Sequence, residues 1–187
     1  HLGWFARLQG RLEDALAHGR RAMDAGRRAE PLHAWCRAMA AVTYATTLLR
    51  AGHKEAAAEI LLASVDTAPR GQAAAYRVRF MAAIAEATDD EAALAEAAEL
   101  LSEVTTPERT AWLLGWDAYE SVARAQLAAG NRTAALATVQ PVIDVARQAQ
   151  WLPVLGPADQ LLTDLTIQSI SASRSAARAA PSVSTGR

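Results

Sequence analysis

The sequence predicts an all-α protein built as an α-solenoid of antiparallel helix hairpins, and three observations carry that expectation. The first is composition: 51% of the 187 residues are hydrophobic and 21% charged, and alanine supplies about a quarter of the chain. Alanine costs least in a helix, and its small side chain lets two helices approach closely. The second is punctuation. The turn-like quartets Leu8-Gln9-Gly10-Arg11, Arg50-Ala51-Gly52-His53, Ala87-Thr88-Asp89-Asp90 and Ala129-Gly130-Asn131-Arg132 alternate with Pro31, Pro69, Pro107 and Pro153. Two interleaved series of breaks, each recurring about every 40 residues, mean one helical hairpin repeated about four times. The third is the apolar period. Trp112, Trp116, Tyr119, Ala123 and Leu127 recur at steps of three and four and form one stripe along a helix, which needs a neighbour to cover it. No segment reads better as a strand than as a helix, so no sheet is expected.

Taken in chain order, the hairpins span about residues 1–29, 31–67, 71–105 and 108–150, a terminal helix follows over 154–170, and residues 171–187 form a flexible low-complexity tail. The second helix of each hairpin is Ala-rich and amphipathic, over 12–25, 55–65, 91–104 and 133–148. In the third of these the stripe is Leu94, Ala98 and Leu101, with Glu91, Glu96, Glu99 and Glu103 lying elsewhere. Thr88 or Asp89 is expected to cap that helix, and the acids Asp89, Asp90 and Glu91 sit where the helix dipole is positive. Pro141 lies inside a helical run and predicts a kink there or a split after Gln140. The tail carries three Arg, no acid and only Val183 as a sizeable apolar residue, too little to build a core, although a helical extension through Ala180 is compatible with its alanines. The chain opens at His1 inside what already reads as helix, so the sequence is expected to be a piece of a longer polypeptide.

Several function classes are excluded on the same evidence. Cys36 is the single cysteine, so no disulfide framework exists within the chain, and it reads as a buried inert thiol. No apolar run is long enough for a membrane span. The net charge is −1, which argues against a general polyanion binder, and no direct nucleic-acid contact is expected. The charge is unevenly spread. Arg7, Arg11, Arg20, Arg21, Arg27, Arg28 and Arg37 make the first repeat basic, while the stretch from Phe80 to Glu108 holds eight acids and no base. These read either as solvated convex faces or as two ends that attract partners of opposite charge. Catalytic and nucleotide motifs such as HExxH, GxSxG, GxGxxG and CxxC are lacking, and His18, His33 and His53 have too few acids at helical spacing to make a metal site. The expectation is a nonenzymatic chain without cofactor or metal.

The hairpins resemble tetratricopeptide repeats, whose signature sets a large residue, a Leu-Gly pair, an aromatic, then Ala, a bulky apolar residue and Pro at fixed intervals. In the second hairpin Ala41, Tyr44-Ala45, Leu48, Ala57, Leu61 and Pro69 fill those slots. In the first, Leu2-Gly3 and Ala15 do so. The fourth offers Tyr119, Val122-Ala123, Gln126, Ala135 and Val139, and the third Val78, Met81-Ala82, Ala85, Leu94 and Ala98. The long period is similar to that of the divergent repeats in large bacterial LuxR-type or signal-transduction ATPase regulators. The resemblance implies a right-handed superhelix with a concave groove lined by the first helix of each hairpin. It implies a noncatalytic interaction or sensor module of a cytoplasmic bacterial regulator, whose partner is a protein or peptide or another domain of the same polypeptide, with self-association as a further expectation. Slot by slot, the groove candidates are Val42, Thr46, Arg50, Tyr76, Arg79, Glu86, Asp117, Glu120 and Arg124. Two other readings stay open: a small-molecule inducer domain in which Trp112, Trp116 and Tyr119 line a cavity, and part of an enzyme whose active site lies outside this chain.

Overall fold

The computed structural model describes residues 1–28, 34–67, 74–104 and 113–179, and among the described residues it holds nine α-helices and no strand. They are α1 (Leu2–Leu8), α2 (Leu12–Arg28), α3 (Ala34–Arg50), α4 (Lys54–Leu62), α5 (Ala74–Thr88), α6 (Glu91–Val104), α7 (Leu113–Ala128), α8 (Arg132–Gln148) and α9 (Leu152–Ala179), with a short 3-10 turn at Val65–Thr67. The even-numbered helices are the four amphipathic stretches of the sequence, lengthened or shortened by a few residues at their ends.

Turn chemistry explains why consecutive helices fold back on one another. Three of the four turns that lead into an even-numbered helix carry a glycine with positive φ, Gly10 (+73°), Gly52 (+81°) and Gly130 (+79°), a conformation that other residues adopt at a steric cost. There the backbone N–H three residues beyond the helix end reaches back to the last turn: Arg11 N to Ala6 O at 2.9 Å, His53 N to Leu48 O at 2.9 Å and Asn131 N to Gln126 O at 2.8 Å. These bonds satisfy carbonyls the helix leaves open. The third turn differs. It has two residues where the others have three, its positive φ falls on Asp89 (57°), and Asp90 caps α6 by accepting from Ala92 N and Ala93 N at 2.9 and 3.0 Å. The cap is therefore Asp90, in place of the expected Thr88 or Asp89. Losing one residue from the turn rotates α6 by one position, so Ala93, Ala97 and Leu101 form its buried stripe, while Leu94 and Ala98 are only partly buried.

The helices form an inner and an outer set. Odd-numbered helices touch one another in turn, α1 to α3, α3 to α5, α5 to α7 and α7 to α9, and each even-numbered helix packs against the two odd ones that flank it. Contact between α1 and α9 brings the two ends of the inner set together. One core runs through the pile, with Val42, Leu61, Val78, Phe80, Trp116, Val122, Val139, Ile143, Leu161 and Leu165 among its fully buried side chains. Small residues set the closest approaches. A Cβ on Gly19 of α2 would stand 3.0 Å from Cγ and 3.2 Å from Cβ of Tyr44 on α3, so the helix pair requires glycine there.

Two further expectations, at Pro141 and Cys36, are corrected. α8 runs unbroken through Pro141, so the helix is not split after Gln140. α9 begins at Leu152 and continues to Ala179, in agreement with the helical extension through Ala180 that the alanines of the tail allow; residues 180–187 lie outside the described residues. Pro153 falls in the first turn of α9, where a missing N–H has no partner to lose. Cys36 is exposed. α3 buries Ala38, Ala41, Val42 and Ala45, and two residues before Ala38 is about 200° around the helix from it.

Candidate functional site

Six of the groove candidates meet in one network of charges on the inner face. Arg79 and Glu86 come from α5, Asp117, Glu120 and Arg124 from α7, and Arg50 is the last residue of α3. Arg50 pairs with Glu86. Arg124 donates from Nε to Glu120 Oε1 at 2.9 Å and from Nη1 to Asp164 Oδ2, on α9, at 3.0 Å. Arg79 Nη2 stands 3.0 Å from Asp117 Oδ2, off the direction of a hydrogen bond, and its guanidinium carbon lies 5.9 Å from the centre of the Tyr76 ring. Arg7 of α1 completes the set, donating to Asp117 Oδ1 at 3.0 Å and to Glu120 Oε2 at 3.4 Å.

The eight charged residues come from all five inner helices, four cations against four carboxylates. Arg79, Asp117 and Glu120 are buried, and Arg50, Glu86 and Arg124 are mostly so. Burial alone pushes the Glu120 carboxyl up, but Arg7, Arg124 and Arg50 together outweigh it and hold it at about 2. Burial opposes the charge on Arg124 and Arg7 as well, and their carboxylate partners reverse that and raise both guanidinium groups above the ordinary value. For Arg50, burial prevails over Glu86 and the group is lowered. Burial likewise raises the Tyr76 phenol.

The remaining candidates serve the frame of this face. Val42 is buried in the core, and Thr46 turns its hydroxyl back onto its own helix, donating to Val42 O at 2.8 Å. Trp116 is fully buried among core side chains and Tyr119 nearly so, so both fill volume in α7; Trp112 lies outside the described residues. Among the histidines, His18 and His53 stand apart on α2 and before α4, and His33 lies outside the described residues. No group of three or more His, Cys, Asp or Glu side chains is placed to hold a metal ion among the described residues, and none of the described helices is long and apolar enough to cross a membrane.

Two members of the network, Arg7 and Asp164, were not among the sequence candidates. The signals existed. Glu86 lies five residues after Met81, the first residue of its Leu-Gly slot, and Arg7 lies five after Leu2 in the same slot of the first hairpin. Asp164 lies 40 residues beyond its partner Arg124, one repeat period, on a helix read as a terminal element rather than as a member of the array. The charge asymmetry of the sequence also resolves into particulars. Arg11 pairs with Asp14 and Arg27 with Asp24 on the outer helix α2, where Arg20, Arg21 and Arg28 are exposed. Of the acids, Glu86, Asp89 and Glu96 are paired with Arg50, Lys54 and Arg77, and Glu108 lies outside the described residues.

Comparison with known proteins gives no match: no family model, no curated protein and no solved structure is significantly similar to this chain.

Proposed function

We propose that the chain is a noncatalytic protein–protein interaction or sensor module, a right-handed tetratricopeptide-like array within a larger cytoplasmic bacterial transcriptional or signalling regulator. The observation that supports this reading is the inner charged face. Its less buried members, Arg50, Glu86, Arg124 and Asp164, come from four of the inner helices, so a partner lying along it is read by several hairpins at once, and charge arranged in this way selects partners more than it adds raw affinity. The electrostatics favour recognition over proton transfer. A general acid or base works best with a pKa near ambient pH, whereas Glu120 at about 2 is fully ionised at neutrality. The rim formed by Arg50, Glu86, Arg124 and Tyr76 combines charge with an aromatic ring, a chemistry suited to a peptide or a helix.

The test is a thermal-shift screen of helical peptides of differing charge against the chain and against an Arg50→Glu variant. At least one peptide is expected to raise the midpoint of the chain and to lose that effect on the variant. A site filled to about 100 times its dissociation constant stabilises by roughly 2.7 kcal/mol. Inert peptides, together with a small metabolite that stabilises the chain, would overturn the reading in favour of a small-molecule inducer domain.

A further inference from the structure

Four charges of the inner network keep contact with water. The side chains of Arg50, Glu86, Arg124 and Asp164 are 13–33% exposed, whereas those of Arg7, Arg79, Asp117 and Glu120 are 8% exposed or less. The exposed four come one each from α3, α5, α7 and α9, helices that touch one another in that order. They recur at about one hairpin per step, 36 residues from Arg50 to Glu86 and 40 from Arg124 to Asp164. Across the helices their signs therefore alternate: plus, minus, plus, minus. The row is neutral as a whole and draws neither acidic nor basic partners by net charge. What it presents is an order of signs.

Its pairing also leaves capacity unused. Arg50 gives a single nitrogen, Nη2, to both oxygens of Glu86. At Arg50 burial prevails over that carboxylate, and Arg124 adds to the deficit, so a second carboxylate above this guanidinium supplies what Glu86 does not. Glu86, with both oxygens on one nitrogen, can accept from a further cation. Asp164 divides its oxygens between Arg124 and Gln160 and is 33% exposed. Spacing then selects the form of the partner. Arg124 and Asp164 stand 3.0 Å apart, so the sign changes over a short distance along the row. Residues three and four apart on a helix lie about 5–6 Å from one another, closer than the roughly 6.6 Å between same-face residues of a strand.

We propose that Arg50, Glu86, Arg124 and Asp164 form a docking row for a partner helix that carries the opposite alternation, acid, base, acid, base, at positions i, i+4, i+7 and i+11 of one stripe. This rests on the inner face being a recognition surface and adds the charge order of the partner.

Two alanine-based helical peptides of equal composition test it. One has the alternating stripe Glu-x-x-x-Lys-x-x-Glu-x-x-x-Lys, the other the block stripe Glu-x-x-x-Glu-x-x-Lys-x-x-x-Lys. By fluorescence anisotropy at low salt, the unmodified chain is expected to bind the alternating peptide about tenfold more tightly, because the block order sets like charges opposite one another. The exchange Arg50→Glu with Glu86→Arg keeps an ion pair and the net charge but changes the row to minus, plus, plus, minus. The exchanged chain is expected to transfer its preference to Lys-x-x-x-Glu-x-x-Glu-x-x-x-Lys, a change that a merely structural ion pair would not produce. Should it fail to fold, Glu86→Gln carries the test: replacing the first lysine of the alternating peptide by alanine is expected to weaken binding to the unmodified chain and to leave binding to the variant unchanged. Equal affinity for alternating and block peptides, or one preference shared by both chains, overturns the proposal and leaves the broader interaction reading standing. Absence of binding by either peptide overturns it as well, and the broader reading is then decided by the thermal-shift screen alone.

Discussion

The inner and outer helices use the same ion-pair chemistry at the same distances with different consequences. On the inner face Arg7 lies 3.0 Å from Asp117, and the two side chains are 8% and 1% exposed. On the outside Lys54 lies 2.9 Å from Asp89, and there the figures are 42% and 69%. Distance therefore does not rank these contacts. Water and mobile ions screen the outer pair, whereas each inner charge has given up its hydration and relies on its partners. The largest effect expected from a single change follows. Asp117→Ala leaves Arg7 with only Glu120 and Arg79 with no carboxylate, both nearly buried. Removing one partner from a buried charged set costs about 3–5 kcal/mol, to be read as a fall in the urea midpoint at an unchanged slope. A loss of no more than the cost of an exposed pair would mean that the inner face is hydrated and the contrast false.

Acid probes the same contrast without mutation. Glu120 is held at about 2 in the folded chain, against 4.5 for the free side chain. A carboxyl depressed on folding contributes stability that is fully present above the unfolded value and is lost as pH falls from there through the folded one. Between pH 4.5 and about 2 the loss from this group is about 3 kcal/mol. Denaturation at stepped pH is expected to show this fall in the unmodified chain and a much flatter profile in Glu120→Gln, which begins from a lower stability.

How much of this was legible in the sequence depends on the range of the interaction. Helix ends are local, and Gly10, Gly52 and Gly130 carried enough turn chemistry to place three of the helix-to-helix turns. The stripe from Trp116 to Leu127 was legible for the same reason, since a period within one helix needs no knowledge of neighbours. The third hairpin shows the limit. A turn shorter by one residue moved the buried stripe from Leu94 and Ala98 to Ala93 and Ala97, because one position is about 100° of helix. Six charges of the inner network were found by repeat spacing, yet as groove-lining residues; that they neutralise one another was not visible. The contacts that close the set, Arg7 to Asp117 and α1 to α9, depend on how distant helices pack together, which no local pattern encodes. Gly19 was likewise silent, because its reason is the Tyr44 ring on the next helix.

Gly19 separates packing from charge. Alanine is the better helix former by about 1 kcal/mol in an exposed site, so propensity alone predicts that Gly19→Ala stabilises α2. The Tyr44 ring predicts the opposite. Because the new methyl would crowd Cβ of Tyr44 as well as its ring, a rotamer change does not relieve it and the helices must move apart, at a cost of about 1–3 kcal/mol. Partial rescue by Tyr44→Ala, which removes the ring but keeps the Cβ, is expected, and a Gly19→Ala chain more stable than the original would remove the close approach of α2 and α3.

The smallest effect is expected at Lys54 and Asp89, and it is the most informative about the outer surface. Asp89 sits at a φ of 57°, where glycine is at ease and other residues are strained. Asp89→Gly therefore removes the ion pair and relieves the backbone at once, and the single variant is expected to be neutral or slightly more stable. Only a double-mutant cycle with Lys54→Ala isolates the pair. Its coupling energy is expected to be about 0.5 kcal/mol or less, shrinking further as salt is raised. A coupling that approaches the cost of Asp117→Ala and withstands salt would show that the outer pairs hold the hairpins together as firmly as the inner network does, and the division between the two faces would have to be redrawn.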